Sequence, residues 1–156
     1  MSLQIQSMMK SVQSNVVALP QGTTGNIFTI TGDVWLLLIL GRCTTVIGSV
    51  ANATKLQYVD TVTSTAYDMC ATSDVNALAA GAFYTAVTSV ATAASISNVN
   101  GRFPYPWATA TAVPLSWIFS DGVIRVNCAG SDGGTGRMRW SACYLPLSSG
   151  SQIASA

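Results

Sequence analysis

Apolar and polar residues alternate most strictly over residues 137–144, near the C-terminal end of the chain. The apolar members of this run are Met138, Trp140, Ala142 and Tyr144. A period of two residues is that of a β-strand with one buried face. The pattern therefore predicts that these four side chains anchor the core and that Pro146 ends the strand.

Similar patterns predict short strands along the rest of the chain. Alternating segments occur at residues 8–19, 26–32 and 54–63, and again in "AFYTAVTSV" and "VIRVNC". The run "VWLLLILGRCTTVIG", which begins at Val34, is apolar almost throughout and predicts a strand buried on both faces. "SDVNALAAG" predicts a turn or one short helical turn.

Turn signals such as "QGTTGN", "SDG" and "SDGGTG" separate these segments. Many short strands with frequent turns are typical of an all-β fold, here a β-sandwich or jelly roll with at most one short helical turn. We expect an extended N-terminal arm over residues 1–17 and a single β-sandwich domain over residues 18–156.

The last two predicted strands, "VIRVNC" and "RMRWSACY", are expected to pair as an antiparallel hairpin. Directly opposed residues share a face, so matching the two apolar sets places Cys128 and Cys143 on opposite faces. No disulfide is therefore expected between them. The same register collects Arg125, Arg137 and Arg139 on the second face, which is then either solvated or a polar interface.

The low content of charged residues says more about the role of the protein than its length does. The chain has 156 residues, enough for one buried core, but charged residues make up 8%, against about 25% in typical soluble domains. A poorly charged surface indicates a subunit of an assembly. The seven Lys and Arg residues form no basic stripe, so no nucleic-acid partner is expected. The apolar run at 34–40 is too short to span a bilayer, and the uncharged stretch at 75–101 is rich in Ala, Ser, Thr and Asn, so no membrane partner is expected either.

The chain offers little catalytic chemistry. It contains no His and no Glu, which excludes Ser-His-Asp and Cys-His arrangements and every His-bearing metal site. The six Asp residues show no spacing that marks a glycosidase pair, and "GSDGGTGR" lacks the G-K-[ST] of a phosphate loop. The four widely spaced cysteines are expected to be small, buried and reduced. We expect no enzyme, no catalytic residue, no metal and no cofactor.

Two segments are candidates for contacts with other molecules. "RFPYPW" alternates Phe103, Tyr105 and Trp107 with prolines, and these rings could pack on the core, dock into a neighbouring subunit or stack on sugar. The N-terminal arm is predicted to reach a neighbouring subunit. The candidate interface residues are Met8, Met9, Lys10, Phe103, Tyr105, Trp107, Arg125, Arg137 and Arg139.

The segment "DGVIRVNCAGSDGGTGRMRWSACYLPLSSGSQIASA" resembles the C-terminal region of small virion proteins of tailed bacteriophages. The matching residues are Gly136, Trp140, Tyr144, Pro146 and Leu147. "IFTITGDVWLLLILGRCTTVIG" and "MCATSDVNALAAGAFYTAV" are similar to upstream segments of those proteins. The relatives usually carry acidic residues where this chain has "LGRCTT".

The resemblance implies a capsid decoration (cement) protein that binds the assembled head shell and stabilises it through subunit contacts. It implies a homo-oligomer, with a trimer as the expected state, that contacts the major capsid protein or other virion subunits. The protein would be part of the virion, assembled in the host cytoplasm. Two alternatives remain open: a head-fibre or tail-tip subunit that contacts host surface glycan, and another head–tail structural subunit.

Overall fold

The strands that the sequence predicts are present in a computed structural model, which describes residues 8–86, 117–131 and 134–156 and the backbone of residues 95–97. The strands, in chain order, are β1 (Lys10–Ala18), β2 (Thr24–Thr31), β3 (Val34–Thr45), β4 (Ala53–Asp60), β5 (Ala66–Asp68), β6 (Ser73–Asp74), β7 (Phe83–Thr85), β8 (Ser95–Ser97), β9 (Trp117–Phe119), β10 (Gly122–Cys128), β11 (Arg137–Pro146) and β12 (Gln152–Ser155). The segment "SDVNALAAG" forms turns, as predicted, and its first two residues form the short strand β6, which was not predicted.

Two antiparallel sheets face each other, which confirms the predicted all-β sandwich. Sheet 1 has the order β1-β11-β3-β7-β8, with β9 also paired to β3. Sheet 2 has the order β12-β2-β10-β4-β5, with β6 also paired to β4. The strand pairs are nested: β1 with β11, β2 with β10, β3 with β7, and β4 with β5.

The core lies between the sheets and contains the side chains predicted from β11. Met138, Trp140, Ala142 and Tyr144 are all buried. The ring of Tyr84 in sheet 1 lies edge-on to Trp140, with 5.8 Å between ring centroids. Its hydroxyl donates a 2.9 Å hydrogen bond to the backbone carbonyl of Thr54 in sheet 2. Tyr84 therefore joins the two sheets by a polar contact inside an apolar core.

The predicted pairing of β10 with β11 is wrong. β10 lies in sheet 2 between β2 and β4, whereas β11 lies in sheet 1 between β1 and β3. Residues 129–136 connect them, and eight residues are enough to cross the spacing of about 10 Å between packed sheets. Arg125 consequently lies on the outer face of sheet 2, and Arg137 and Arg139 lie on the outer face of sheet 1. The expectation that the three arginines share a face is wrong for this reason.

The expectation that β3 is buried on both faces is also wrong. Its inward residues are buried, but Trp35 and Leu38 point outward and are exposed. A register shift at Leu37, which has no partner on β11, lies between these two residues and interrupts the strict alternation; a second shift follows at Thr44.

The predicted N-terminal arm is a strand from Lys10 onward. β1 pairs with β11 at the edge of sheet 1, and residues 1–7 lie outside the described residues. A register shift between Gln13 and Val16 turns the Val16 side chain outward. The alternation predicted for this segment is therefore interrupted before Val16. The buried Ser14 hydroxyl accepts a 3.0 Å hydrogen bond from the backbone N–H of Trp140 at this bulge.

Candidate functional site

The outer face of sheet 1 carries an apolar patch, formed by Trp35, Leu38, Ile118, Cys143 and Leu145. Trp35 stands opposite Ile118 on one neighbouring strand and opposite Leu145 on the other, and Leu38 stands opposite Cys143. Ile118 is 70% exposed, Leu38 38% and Trp35 37%. Exposed apolar side chains that adjoin one another in this way mark interaction surfaces more often than isolated ones do.

An arginine cluster follows the apolar patch along the same face, formed by Arg42, Arg137 and Arg139. Arg42 and Arg139 are direct partners on β3 and β11, and Arg137 lies two residues from Arg139. All three are exposed. Directly opposed side chains start about 5 Å apart, and like charges in such positions repel. In the part of the chain that the structure describes, no carboxylate forms an ion pair with this cluster.

A mixed row separates the apolar patch from the arginine cluster. Leu40 of β3 stands opposite Ser141 of β11, which stands opposite Gln13 of β1. The Gln13 side-chain amide donates a 3.3 Å hydrogen bond to the Ser141 hydroxyl. The outer face of sheet 1 thus changes from apolar to mixed to cationic along its strands.

The outer face of sheet 2 differs, because its polar side chains bind one another. Gln57 donates to Asp68 at 2.7 Å and accepts from Arg125 at 3.0 Å and from Asn127 at 3.3 Å. Lys55 forms a 2.7 Å ion pair with Asp68. The hydrogen bond from Lys55, followed by that from Gln57, lowers the pKa of Asp68. Arg125, predicted as an interface residue, already has partners in its own chain.

Three carboxylates, Asp33, Asp60 and Asp121, form what we call the carboxylate end, at the other end of the strands from the arginine cluster. Asp121 accepts a 2.7 Å hydrogen bond from the backbone N–H of Gly32, and Asp33 accepts one of 2.8 Å from the Ser120 hydroxyl. Asp60 is the Cα partner of Gly122, which follows Asp121. The backbone N–H groups of the turn after Asp60 lower the pKa of its carboxyl.

Exposed apolar side chains accompany these carboxylates. Val62, in the turn after Asp60, is almost fully exposed. Leu147 is also exposed, and its backbone N–H donates to the carbonyl of Asp33 at 2.9 Å.

The structure brings together only part of the predicted interface. Arg137 and Arg139 lie side by side, and Arg42, which the sequence reasoning missed, completes the cluster. The signal for Arg42 was its position next to the buried Cys43, since neighbours in a strand face opposite ways. Phe103, Tyr105 and Trp107 lie outside the described residues.

The predicted N-terminal interface residues lie at the start of β1. Met8 and Met9 are exposed immediately before the strand. Lys10 is its first residue and is the Cα partner of Tyr144.

The cysteines form no disulfide, and Cys43, Cys70 and Cys128 are buried while Cys143 is half-buried. Burial raises the pKa of the Cys43 and Cys70 thiols. Among residues 8–86, 117–131 and 134–156, no three Cys or Asp side chains gather in a way that could hold a metal ion. Within the same residues, no helix has the length and apolar character needed to cross a membrane. Comparisons with protein-family models, curated protein sequences and solved structures give no match for this chain.

Proposed function

We propose that this protein is a structural subunit of a bacteriophage virion, namely a capsid decoration protein that binds the assembled head shell and stabilises it. The observation that carries the proposal is the outer face of sheet 1, which is suited to contacts between copies of a subunit in an assembly and is distinct from the segment assigned to shell contact. Its apolar patch and arginine cluster lack the internal polar network that covers sheet 2. A face with apolar side chains beside arginines is typical of a protein–protein interface. The resemblance of the C-terminal segment supplies the virion as the setting.

The nested strand pairing supports a jelly-roll assignment within the sandwich. Jelly rolls occur in viral capsid domains and also in lectins and cupins. Because one fold serves many functions, the topology alone does not choose among them. The low charge of the chain and its lack of His and Glu favour a structural subunit over an enzyme.

The mechanism of such a subunit is burial of apolar area against its neighbours, worth about 25 cal/mol per Å² before ordering costs are subtracted. We assign the shell contact to the residues before β1, where Met8 and Met9 are exposed. β1 itself is held in sheet 1 by β11 and is needed for the fold. Shell contact and fold are therefore separable by mutation.

A sedimentation experiment tests this function. Head shells assembled without the protein are mixed with purified protein and pelleted, and bound protein is measured. We expect wild-type protein to pellet with shells, and a variant lacking residues 2–7 and carrying Met8→Ser and Met9→Ser to stay in solution with an unchanged circular dichroism spectrum. Leu147→Ser, a matched loss of an exposed apolar side chain elsewhere, should still bind. Wild-type protein that does not bind shells would contradict the decoration role.

The glycan-binding alternative makes a different prediction. If the protein is a head-fibre or tail-tip subunit, the double change Tyr105→Ala and Trp107→Ala abolishes host adsorption and leaves particles intact. Imaging of the labelled protein on virus particles distinguishes directly between shell decoration and a tail-tip location. Label spread over the shell supports decoration, and label confined to the tail overturns it.

A further inference from the structure

We propose that two copies of this chain, and not the three that the sequence resemblance implies, pack the outer faces of sheet 1 together around a two-fold axis. In this contact the arginine cluster of each copy meets the carboxylate end of the other, and the apolar patches meet near the centre. The proposal concerns the protein alone and does not depend on shell binding.

Opposite charges are far apart on this side of a single chain. Asp33 precedes β3 and Arg42 lies near its end, nine residues later. In a strand, nine residues span about 30 Å. Charges at that distance are screened at 0.1 M salt, where the Debye length is about 10 Å. The arginine cluster and the carboxylate end therefore cannot neutralise each other within a single copy.

The outer face of sheet 1 changes in character along its strands. From one end to the other, the face presents the exposed Asp33 just before β3, the apolar patch, the mixed row and the arginine cluster, and Asp121 lies near Asp33 in the β9–β10 turn. A two-fold axis that lies between the two packed faces, at right angles to the strands, reverses this order in the second copy. Carboxylates then lie over arginines at both ends, and apolar side chains lie over one another between them. Stacking two copies in the same direction would oppose arginine to arginine.

The outer face of sheet 1 is complementary to a second copy of itself. A nucleic acid would neutralise the arginines but would leave Trp35, Leu38 and Ile118 against a charged backbone. A second copy supplies both the carboxylates and the apolar surface. It also offsets the repulsion between Arg42 and Arg139, since guanidinium groups form strong hydrogen bonds with carboxylates. The isologous two-fold contact is the commonest symmetry of homo-oligomers.

Lys10 is the one cation of β1, at the level of Tyr144 and so towards the carboxylate end. It lies on the edge strand beyond β11, and no ion pair joins it to a carboxylate among the described residues. It therefore leaves Asp33, before β3, and Asp121, in the β9–β10 turn, without an ion pair to Lys10 and open to a second copy.

Charge reversal with purified protein tests the contact by sedimentation equilibrium and native mass spectrometry. One variant carries Arg42→Glu and Arg139→Glu, and a second carries Asp33→Arg and Asp121→Arg. Each should raise the dimer dissociation constant more than about tenfold, because a two-fold contact counts every change twice. An equimolar mixture of the two variants should form a one-to-one heterodimer, since both ends are then complementary again.

Two further variants guard against loss of fold. Asp121 bonds to a backbone N–H, so every variant is first compared with wild type by thermal unfolding. Leu38→Lys, in the apolar patch and away from the turns, should also give a monomer. Arg125→Gln removes one arginine from the outer face of sheet 2 and should leave the dimer unchanged.

The outcomes separate this proposal from its rivals. A wild-type dimer that each reversal weakens and the mixture restores supports it. A wild-type monomer or trimer, or reversals without effect, would overturn it. Arginine-dependent binding of a single-stranded oligonucleotide by a monomer would overturn it in favour of nucleic acid. Loss of shell binding without loss of the dimer would refute only the decoration role.

Discussion

The close approach of β3 to the Trp140 ring gives a stability prediction of definite sign. Gly41 faces the core opposite Trp140. A Cβ at Gly41 would lie 2.7 Å from Cζ3 and 2.9 Å from Cε3 of that ring, and 2.8 Å from Cε of Met138. The Met138 methyl group can move, but the Trp140 ring is fully buried and held edge-on to Tyr84. Gly41→Ala therefore forces the ring or β3 to shift.

Two opposing magnitudes decide the size of the effect. Where space is available, replacing Gly by Ala stabilises a protein by about 0.4–1 kcal/mol, because the unfolded chain loses freedom. Overpacking a tight core costs about 1–3 kcal/mol. We expect Gly41→Ala to lower the free energy of unfolding by about 1–2 kcal/mol, and the melting temperature by about 2–4 °C for each kcal/mol.

Urea unfolding of a double-mutant cycle is the assay. Trp140→Phe removes the ring atoms that clash, so Gly41→Ala should cost less in that background, with a coupling of at least about 0.5 kcal/mol. Gly22→Ala is the control. Gly22 has a positive φ of 62° and nothing within 4 Å of a Cβ, so its cost is backbone strain alone and should not couple to Trp140. A Gly41→Ala variant at least as stable as wild type, or one without coupling, would refute the packing argument.

Three other predictions concern the core, the cysteines and the loss of stability at acidic pH. Tyr84→Phe should lower the free energy of unfolding in urea by about 1–2 kcal/mol, because it leaves the Thr54 carbonyl without its cross-sheet donor; the exposed Tyr67→Phe should change nothing measurable. Ellman's reagent should modify one thiol per native chain, Cys143, at low protein concentration, and more slowly as the dimer forms; fast reaction of a second thiol would contradict the burial of the others. Because the pKa of Asp60 is lowered in the folded state, its carboxylate stabilises the fold above the unfolded pKa of about 4, and this contribution disappears as pH falls through the folded pKa. The urea midpoint should therefore fall on acidification, and less steeply in Asp60→Asn. The same fall of the midpoint with pH in that variant would exclude a stabilising contribution from the Asp60 carboxylate.

Local patterns predicted the strands because each depends on a few neighbouring residues. The alternation in β11 located its core residues, since one buried face fixes which side chains point inward. The strand β12 was missed: "QIAS" carries one buried apolar side chain, Ile153, and a strand that short has too few positions to show a period.

The sheet to which a strand belongs is set by distant residues, and this is where the sequence reasoning failed. β10 and β11 are neighbours in the chain and both alternate, which favours a hairpin. Each is instead paired on both sides by strands from the first 60 residues: β10 lies between β2 and β4, and β11 between β1 and β3. The alternation of β10 and β11 is the same whichever partners they have, so it could not distinguish the two arrangements.

The same long-range pairing explains why the candidate site was only half predicted. The alternating pattern of β11 is enough to predict that Arg137 and Arg139 share an outward face. Arg42 joins them only because β3 pairs with β11, and the apolar run of β3 hid which of its faces is exposed. Once the register between β3 and β11 is known, the role of Arg42 within the segment "LGRCTT" can be interpreted. Arg42 lies directly opposite Arg139, and the two like charges repel each other. On a surface that only contacts solvent, a substitution at either position would remove this repulsion. In the proposed dimer, Asp33 of the second copy lies near both arginines, because it precedes β3 at the end opposite Arg42.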